Sequence, residues 1–333
     1  MPHFILIFNI KQTKNTSTIV NSKNKIRALV LMSGGLDSIL ALKMLQKQGI
    51  GATPICFESY FFSCDNAKII AKENGINLRI VNISEPHLEI VKHPRFGRGA
   101  AMNPCVDCHL LMLKIARKIM GDESFDFIAT GEVIGQRPMS QNKQSLDVIE
   151  KEVGLAGKIL RPLSAKLLAR TEAETQGLVD ENKLYGISGR SRKPQLELAK
   201  KFGIKKIPQP AGGCVLADAD YGKKLKELMK HHPEFNGADA QVLRFGRPFW
   251  EEKILFIVAR NKDECEKLNK LAQAGDMLFE PQNFPGPTVL ARDFDGQVGR
   301  QKIEEIGKNY LLRYSKKIPS NPEITVNYPK NEK

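Results

Sequence analysis

One junction constrains this chain more than any other feature. The run Ile26-Arg27-Ala28-Leu29-Val30-Leu31-Met32 is almost continuously apolar and passes straight into Ser33-Gly34-Gly35-Leu36-Asp37-Ser38. Behind it, Ile39, Leu42 and Leu45 recur at helical spacing until Gly49. An unbroken β-rich run suits a strand buried on both faces, and a strand that hands over to a helix through glycines suits a parallel sheet covered by helices. The cycle repeats. Strands are expected at 53–57, 78–81 and 125–130, and helices at 66–73, 106–120, 144–152 and 194–202. The expected fold is α/β: a doubly wound parallel sheet over residues 26–221, followed by a smaller α+β domain over 222–333. Further α/β elements are expected as far as about Asp218. Residues 1–25 carry four lysines and no acid, and are expected to form a disordered extension.

A chain of 333 residues, 41% hydrophobic and 26% charged, has enough apolar surface for two cores. No run approaches the roughly 20 apolar residues that span a bilayer. Phe4-Ile5-Leu6-Ile7-Phe8 lacks the flanks of a secretory signal, so a cytoplasmic location without membrane attachment is expected. The net charge of +14 points first to nucleic acid. It is spread as +4, +6 and +4 over residues 1–25, 26–221 and 222–333, so no single tail carries it.

The glycines of Ser33-Gly34-Gly35-Leu36-Asp37-Ser38 allow a tight turn and close approach to an anion, which the free N–H groups of the next helix hold. Ser33 and Ser38 have hydroxyls to donate to phosphate oxygens, and Asp37 has the reach to a phosphate-bound Mg2+. The loop lacks the lysine of a Walker A motif. It resembles the phosphate loop (PP-loop) of the ATP-pyrophosphatases, which cleave ATP between the α and β phosphates; this resemblance implies binding of ATP.

Three cysteines form a second set. Cys105 and Cys108 lie in Asn103-Pro104-Cys105-Val106-Asp107-Cys108-His109 at a helix start, and Cys214 ends Pro210-Ala211-Gly212-Gly213-Cys214. Three thiols suit a [4Fe-4S] cluster with one open iron. The alternatives are a persulfide and resolving pair, a zinc site for which His109, diverging from the adjacent Cys108, would be the fourth ligand, or buried packing. Cys56, Cys64 and Cys265 have no partner at useful spacing and are expected to be inert. His231 and His232 are expected to end a helix.

With loop and cysteines together, residues 26–220 resemble the PP-loop tRNA thiolation enzymes. Thr130-Gly131-Glu132-Val133-Ile134-Gly135-Gln136, Ser140-Gln141 and Leu160-Arg161-Pro162-Leu163 are similar to the tRNA 4-thiouridine synthases. The cysteine runs are similar to 2-thiouridylases and cluster-dependent thiolases. The resemblance implies adenylation of a uridine carbonyl and displacement of AMP by sulfur, most simply giving 4-thiouridine. It implies ATP, Mg2+ and a [4Fe-4S] cluster on Cys105, Cys108 and Cys214 as cofactors, and tRNA plus sulfide or a sulfur-donor protein as partners. A homodimer stays open. Thr130, Gly131 and Gln136 join Ser33–Ser38 in the implied ATP site, with Glu132 and Gln136 placed to orient uridine or Mg2+. Two alternatives remain: a 2-thiouridylase using a persulfide and disulfide pair, and a PP-loop ligase or amidotransferase acting on a substrate other than RNA.

The usual 4-thiouridine synthase has an RNA-binding domain ahead of the loop, where this chain has 25 residues. RNA binding is therefore expected from the C-terminal domain, which faintly resembles the RNA-binding module of NFACT proteins and carries Arg244, Arg247, Phe249, Trp250, Arg260 and Lys262. Arg190, Arg192 and Lys193, before the helix at 194, are read as a tRNA phosphate clamp, a contact for ATP phosphates, or a solvated basic loop. Lys92, His93, Arg95 and Arg98 are expected in a loop that orders over the substrate.

Overall fold

The computed structural model describes residues 25–204 and 213–330. The expected N-terminal extension, apart from Lys25, and Pro210-Ala211-Gly212 lie outside them. In chain order the elements are β1 (Arg27–Leu31), α1 (Leu36–Lys47), β2 (Gly51–Glu58), α2 (Asp65–Glu73), β3 (Arg79–Asn82), α3 (Ser84–Lys92), α4 (Cys105–Asp122), β4 (Phe127–Thr130), α5 (Lys143–Val153), β5 (Ile159–Leu160), α6 (Glu172–Thr175) and α7 (Lys193–Lys201). There follow α8 (Ala219–His231), α9 (Gly237–Val242), β6 (Arg247–Glu251), β7 (Ile254–Val258), α10 (Lys262–Leu271), β8 (Met277–Pro281), β9 (Val289–Asp293), α11 (Arg300–Tyr314) and β10 (Ile324–Asn327).

The chain divides into two compact units: Met1–Ser59, Ser63–Ile83 and Cys105–Ala211 in the first, and Tyr60–Phe62, Ser84–Pro104 and Gly212–Lys333 in the second. The first holds a parallel sheet in the order β3-β2-β1-β4-β5. Ala28, Leu29 and Val30 of β1 and all of β4 are buried, as the unbroken apolar runs require. The connections leave β1 toward β2 and β3 on one side, while β4 pairs on its other side. This is a topological switch point, so the loops after β1 and β4 flank one crevice at the carboxyl ends of the strands. Beyond β5 the described residues of this unit add α6, α7 and short helical turns but no further strand, which corrects the expectation of continued α/β alternation.

The second unit holds an antiparallel sheet in the order β10-β8-β9-β7-β6. Its central strand β7 is buried along its whole length. Leu255 and Ile257 face a core built with α8, α9 and α10, whereas Ile254, Phe256 and Val258 face one built with α11. This unit takes in more chain than 222–333. Phe61, Leu88, Val91, Met102, Leu216 and Tyr221 all bury in the same core as Leu225 and Leu228 of α8. Helix α3 escapes the sequence pattern because Ser84-Glu85-Pro86 reads as a loop, although proline is well tolerated in a first helical turn. Lys92 ends that helix, and only His93, Arg95 and Arg98 lie in the loop beyond it. Gln241 and Val242 close the short helix α9.

A second correction concerns Cys56 and Cys64, which are joined by a disulfide with Cα atoms 6.1 Å apart. The turn between β2 and α2 brings the strand residue Cys56 beside Cys64, the N-cap of α2, a meeting that spacing alone did not reveal. Both pack with Ala67.

Candidate phosphate and sulfur-transfer site

The phosphate loop is shaped by backbone contacts that only glycine allows. Gly34 adopts φ of 79°, and a Cβ there would lie 2.5 Å from the backbone nitrogen of Ala67. The start of α2 therefore backs the loop directly. Gly131 is constrained in the same way, since its Cβ would lie 2.4 Å from the backbone nitrogen of Ser38. The loop after β4 thus abuts the first turn of α1. Gly35 is the N-cap of α1 and no side chain caps that helix, which leaves its positive end for an anion. Ser38 is buried and donates to the Gly35 carbonyl at 2.8 Å. Leu36 is 2% exposed and packs in the core, so its part in the loop is played by its backbone.

Asp37 is held between elements far apart in sequence. Gln136 Nε2 donates to Asp37 Oδ2 at 3.0 Å, while Oδ1 has no hydrogen-bond partner among the described residues. Burial raises the carboxyl above its ordinary pKa, opposed by the Gln136 hydrogen bond, the Arg192 charge, the Gln195 amide and the Arg137 charge. Helix α7, which carries Gln195 in its first turn, packs against α1.

Beside the loop lies a buried ion network. Glu132 accepts from Arg161 Nε at 2.9 Å, from Thr130 Oγ1 at 2.9 Å, and meets His109 Nδ1 at 2.9 Å. Arg161 also pairs with Glu150 of α5. Burial by itself would push the Glu132 carboxyl up; the Arg161 charge, and then the His109 and Thr130 contacts, reverse that and hold it at about 2. His109 lies one turn beyond Cys105 on α4, so this contact ties the start of α4, with Cys105 and Cys108, to the loop after β4.

The structure therefore gathers Ser33–Ser38, Thr130, Gly131 and Gln136 around the N-terminus of α1, with Arg192 close enough to act on Asp37. Arg190 and Lys193 are exposed. Cys105 and Cys108 are half-buried at the start of α4 in the first unit, and Cys214 is half-buried in the second. Among the described residues no three His, Cys, Asp or Glu side chains are grouped to hold a metal ion. Asp37 differs, because its unpartnered oxygen beside the loop fits a cation carried by phosphates. Sequence reasoning had no signal for Gln195 or for the Glu132–Arg161 pairing, whose members lie 29 residues apart.

In the second unit Arg244 and Arg247 are exposed, and Arg247 lies over the Tyr314 ring at 5.5 Å. Trp250 stacks on His231, and Phe294 on His232; His231 ends α8 as expected. Arg260 pairs with Glu264, so its charge is already engaged. Cys265 accepts from the Thr288 backbone. No helix among the described residues is long and apolar enough to cross a membrane.

Residues 24–167 match the family model of the thiamine biosynthesis protein ThiI. Residues 246–333 match that of the NFACT protein RNA binding domain. A probable tRNA sulfurtransferase of Caldanaerobacter subterraneus subsp. tengcongensis is 31% identical over 146 residues, 41% of this chain and 36% of that protein. The tRNA-specific 2-thiouridylase MnmA of Karelsulcia muelleri is 29% identical over 136 residues, 37% and 35% of the two chains. The chain spans little more than a third of the length of these curated relatives. A solved 4-thiouridine synthetase–RNA complex with bound ATP aligns at TM-score 0.39 and 22% identity, covering 65% of this chain and 52% of that one. By these matches, residues 24–167 are similar to the ThiI family and residues 246–333 to the NFACT RNA binding domain.

Proposed function

We propose that the chain is an ATP-dependent tRNA sulfurtransferase that converts a uridine carbonyl to a thiocarbonyl, forming 4-thiouridine. The observation that carries this reading is the convergence of the phosphate loop, the Thr130-Gly131-Glu132 turn and the Cys105–His109 helix start at the switch point of one sheet. The uridine oxygen attacks the α-phosphorus of ATP, the α–β phosphoanhydride breaks, and pyrophosphate departs against the open N–H groups of α1. Sulfur then adds to the activated ring carbon, and AMP leaves with the original oxygen. Asp37 is the residue to hold a phosphate-bound Mg2+, which supplies charge neutralisation for the leaving pyrophosphate. The tRNA itself is drawn by the second unit, through the exposed Arg244 and Arg247, and by Arg190 and Lys193 of the first.

The sulfur route follows the cysteines. Cys105 and Cys108 share one helical turn within the first unit, which suits a thiol pair: one takes sulfane sulfur from a persulfide donor, that outer sulfur bonds to the ring carbon, and the other thiol breaks the S–S bond, leaving a Cys105–Cys108 disulfide that an external thiol reduces. This is also the arrangement a 2-thiouridylase would need. A [4Fe-4S] cluster on Cys105, Cys108 and Cys214 is the other route. Iron and acid-labile sulfide in anaerobically purified wild type, lost in Cys214→Ser, would support the cluster; a protein active without iron would exclude it.

The test is nucleoside mass spectrometry of tRNA incubated with the protein, Mg-ATP and a sulfide or persulfide source. A 4-thiouridine peak that requires ATP and Cys105 or Cys108 is the expected result. A 2-thiouridine peak keeps the chemistry and moves the target. ATP cleavage to AMP without any thiolated nucleoside would point to the non-RNA ligase.

A further inference from the structure

The phosphate loop is one side of a site, and the first turn of α7 has the features of the other. Helix α7 packs against α1, and residues of its start act on Asp37 in the first turn of α1. The positive ends of two helices are thus brought to one place. Arg192 is the N-cap of α7, and no side chain caps the helix there. Gln195, in that first turn, is fully buried, yet neither its Nε2 nor its Oε1 makes a hydrogen bond among the described residues. Its side chain acts on Asp37, whose Oδ1 is also without a partner among the described residues. Buried polar groups are seldom left so, and two in one site mark a contact that forms in another state of it. Arg192 and Arg137 add positive charge beside the same carboxylate, which suits an anionic ligand rather than the carboxylate alone.

Resting on the phosphate-loop reading above, we propose that the first turn of α7 completes the phosphate site: Arg192 binds the terminal phosphates of the nucleotide, and so the departing pyrophosphate, while Gln195 is a positioning residue whose amide closes on Asp37 Oδ1 when that anion is bound. Asp37 Oδ1 then accepts from the Gln195 amide on one lone pair and keeps the other for the phosphate-bound cation, while Gln136 holds Oδ2. AMP, which lacks the terminal phosphates, should not engage α7. This gives Arg192 a nucleotide partner in place of RNA.

Calorimetric titration with inorganic pyrophosphate, with AMP and with tRNA, on the full chain, tests this. Arg192→Gln, a substitution at a half-buried residue, is expected to weaken pyrophosphate binding about tenfold or more, the scale of one charge-assisted hydrogen bond, with AMP and tRNA binding little changed. Gln195→Met keeps the volume and removes the amide, and is expected to weaken pyrophosphate binding several-fold while AMP binding is kept, a split between the two ligands that a packing defect does not produce. Pyrophosphate binding unchanged in both variants would remove α7 from the site while leaving the phosphate loop intact. Loss of tRNA binding instead of pyrophosphate binding in Arg192→Gln would return that residue to the RNA. A wild type that binds neither pyrophosphate nor AMP would overturn the phosphate-loop reading itself.

Discussion

Each unit of the molecule buries an arginine between two carboxylates, and the two clusters are built differently. In the second unit Arg292 donates from Nε and Nη2 to Asp276 at 2.8 and 2.7 Å, and from Nη1 to Asp239 at 2.8 Å. Asp239 also closes the capping box of α9 with Asn236. All three guanidinium nitrogens are engaged, and the cluster ties α9 to the sheet. In the first unit Arg161 is as deeply buried, 3% exposed, but its Nη2 has no partner among the described residues. Its carboxylate Glu132 is shared with Thr130 and His109. A closed clamp serves folding alone. A cluster with a spare donor, a histidine and a threonine beside a phosphate loop has contacts left for a ligand.

The largest effect is expected where the clamp is broken. Arg292→Met leaves Asp239 and Asp276 buried without their counter-charge, which costs about 3–5 kcal/mol. Urea unfolding should show it as a lower midpoint for the second unit, with nucleotide binding by the first unit retained. If nucleotide binding is lost as well, the assignment of this cluster to folding alone is wrong.

Glu132→Gln should cost less, on the order of 3 kcal/mol, because the amide keeps the shape and some of the hydrogen bonds while leaving Arg161 with Glu150 alone. Its distinguishing signature is functional: tRNA thiolation should fall roughly 100-fold in protein that is still folded and still binds AMP. Equal thiolation by the folded variant would place Glu132 with Arg292 as a residue of the fold only.

The same carboxyl predicts a pH dependence. Glu132 sits at about 2 in the folded chain against an ordinary value of 4.5. A depressed folded-state pKa contributes stability that is present above the unfolded value and is lost as pH falls toward the folded one. Between pH 4.5 and 2 the first unit should therefore lose stability on the order of 3 kcal/mol, and Glu132→Gln should flatten that part of the thermal-melting profile. An identical acid slope in wild type and variant would show that other carboxylates dominate.

How much of this was legible in the sequence depends on how local each signal is. The strand at 26–32, the Ser-Gly-Gly-Leu-Asp-Ser loop and the helix behind it are contiguous, so propensity, spacing and anion chemistry all act within residues 26–45. The parallel sheet and the loop's position follow from them. Glu132 was legible as a residue but its network was not, because Arg161 and His109 reach it from other elements. Gln195 sits in a helix with an ordinary amphipathic pattern, and only its burial without partners singles it out. The Cys56–Cys64 disulfide depends on the turn between β2 and α2, which no periodicity encodes. Helix α3 belongs to the second unit through Leu88 and Val91, a tertiary choice invisible in a charged segment containing proline.

A third arginine–carboxylate pair sets the small end of the scale. Arg260 pairs with Glu264, but its side chain is 48% exposed, so water competes for the charge. Glu264 keeps other partners, accepting from the backbone nitrogens of Gly246 at 3.1 Å and Arg260 at 2.8 Å. These survive truncation of the arginine side chain. Arg260→Ala should therefore cost less than about 1 kcal/mol, and less still in high salt. The same engagement limits its use in RNA binding. Arg247→Ala, which removes an exposed guanidinium not paired with a carboxylate in this way, should weaken tRNA binding more than Arg260→Ala and reduce the salt slope of binding by about one phosphate contact. Filter-binding titrations across a salt series read both quantities. A larger loss from Arg260→Ala would mean that RNA displaces Glu264 from its partner, and that the pair at the surface of the second unit is a ligand site of the same open kind as the Glu132 cluster.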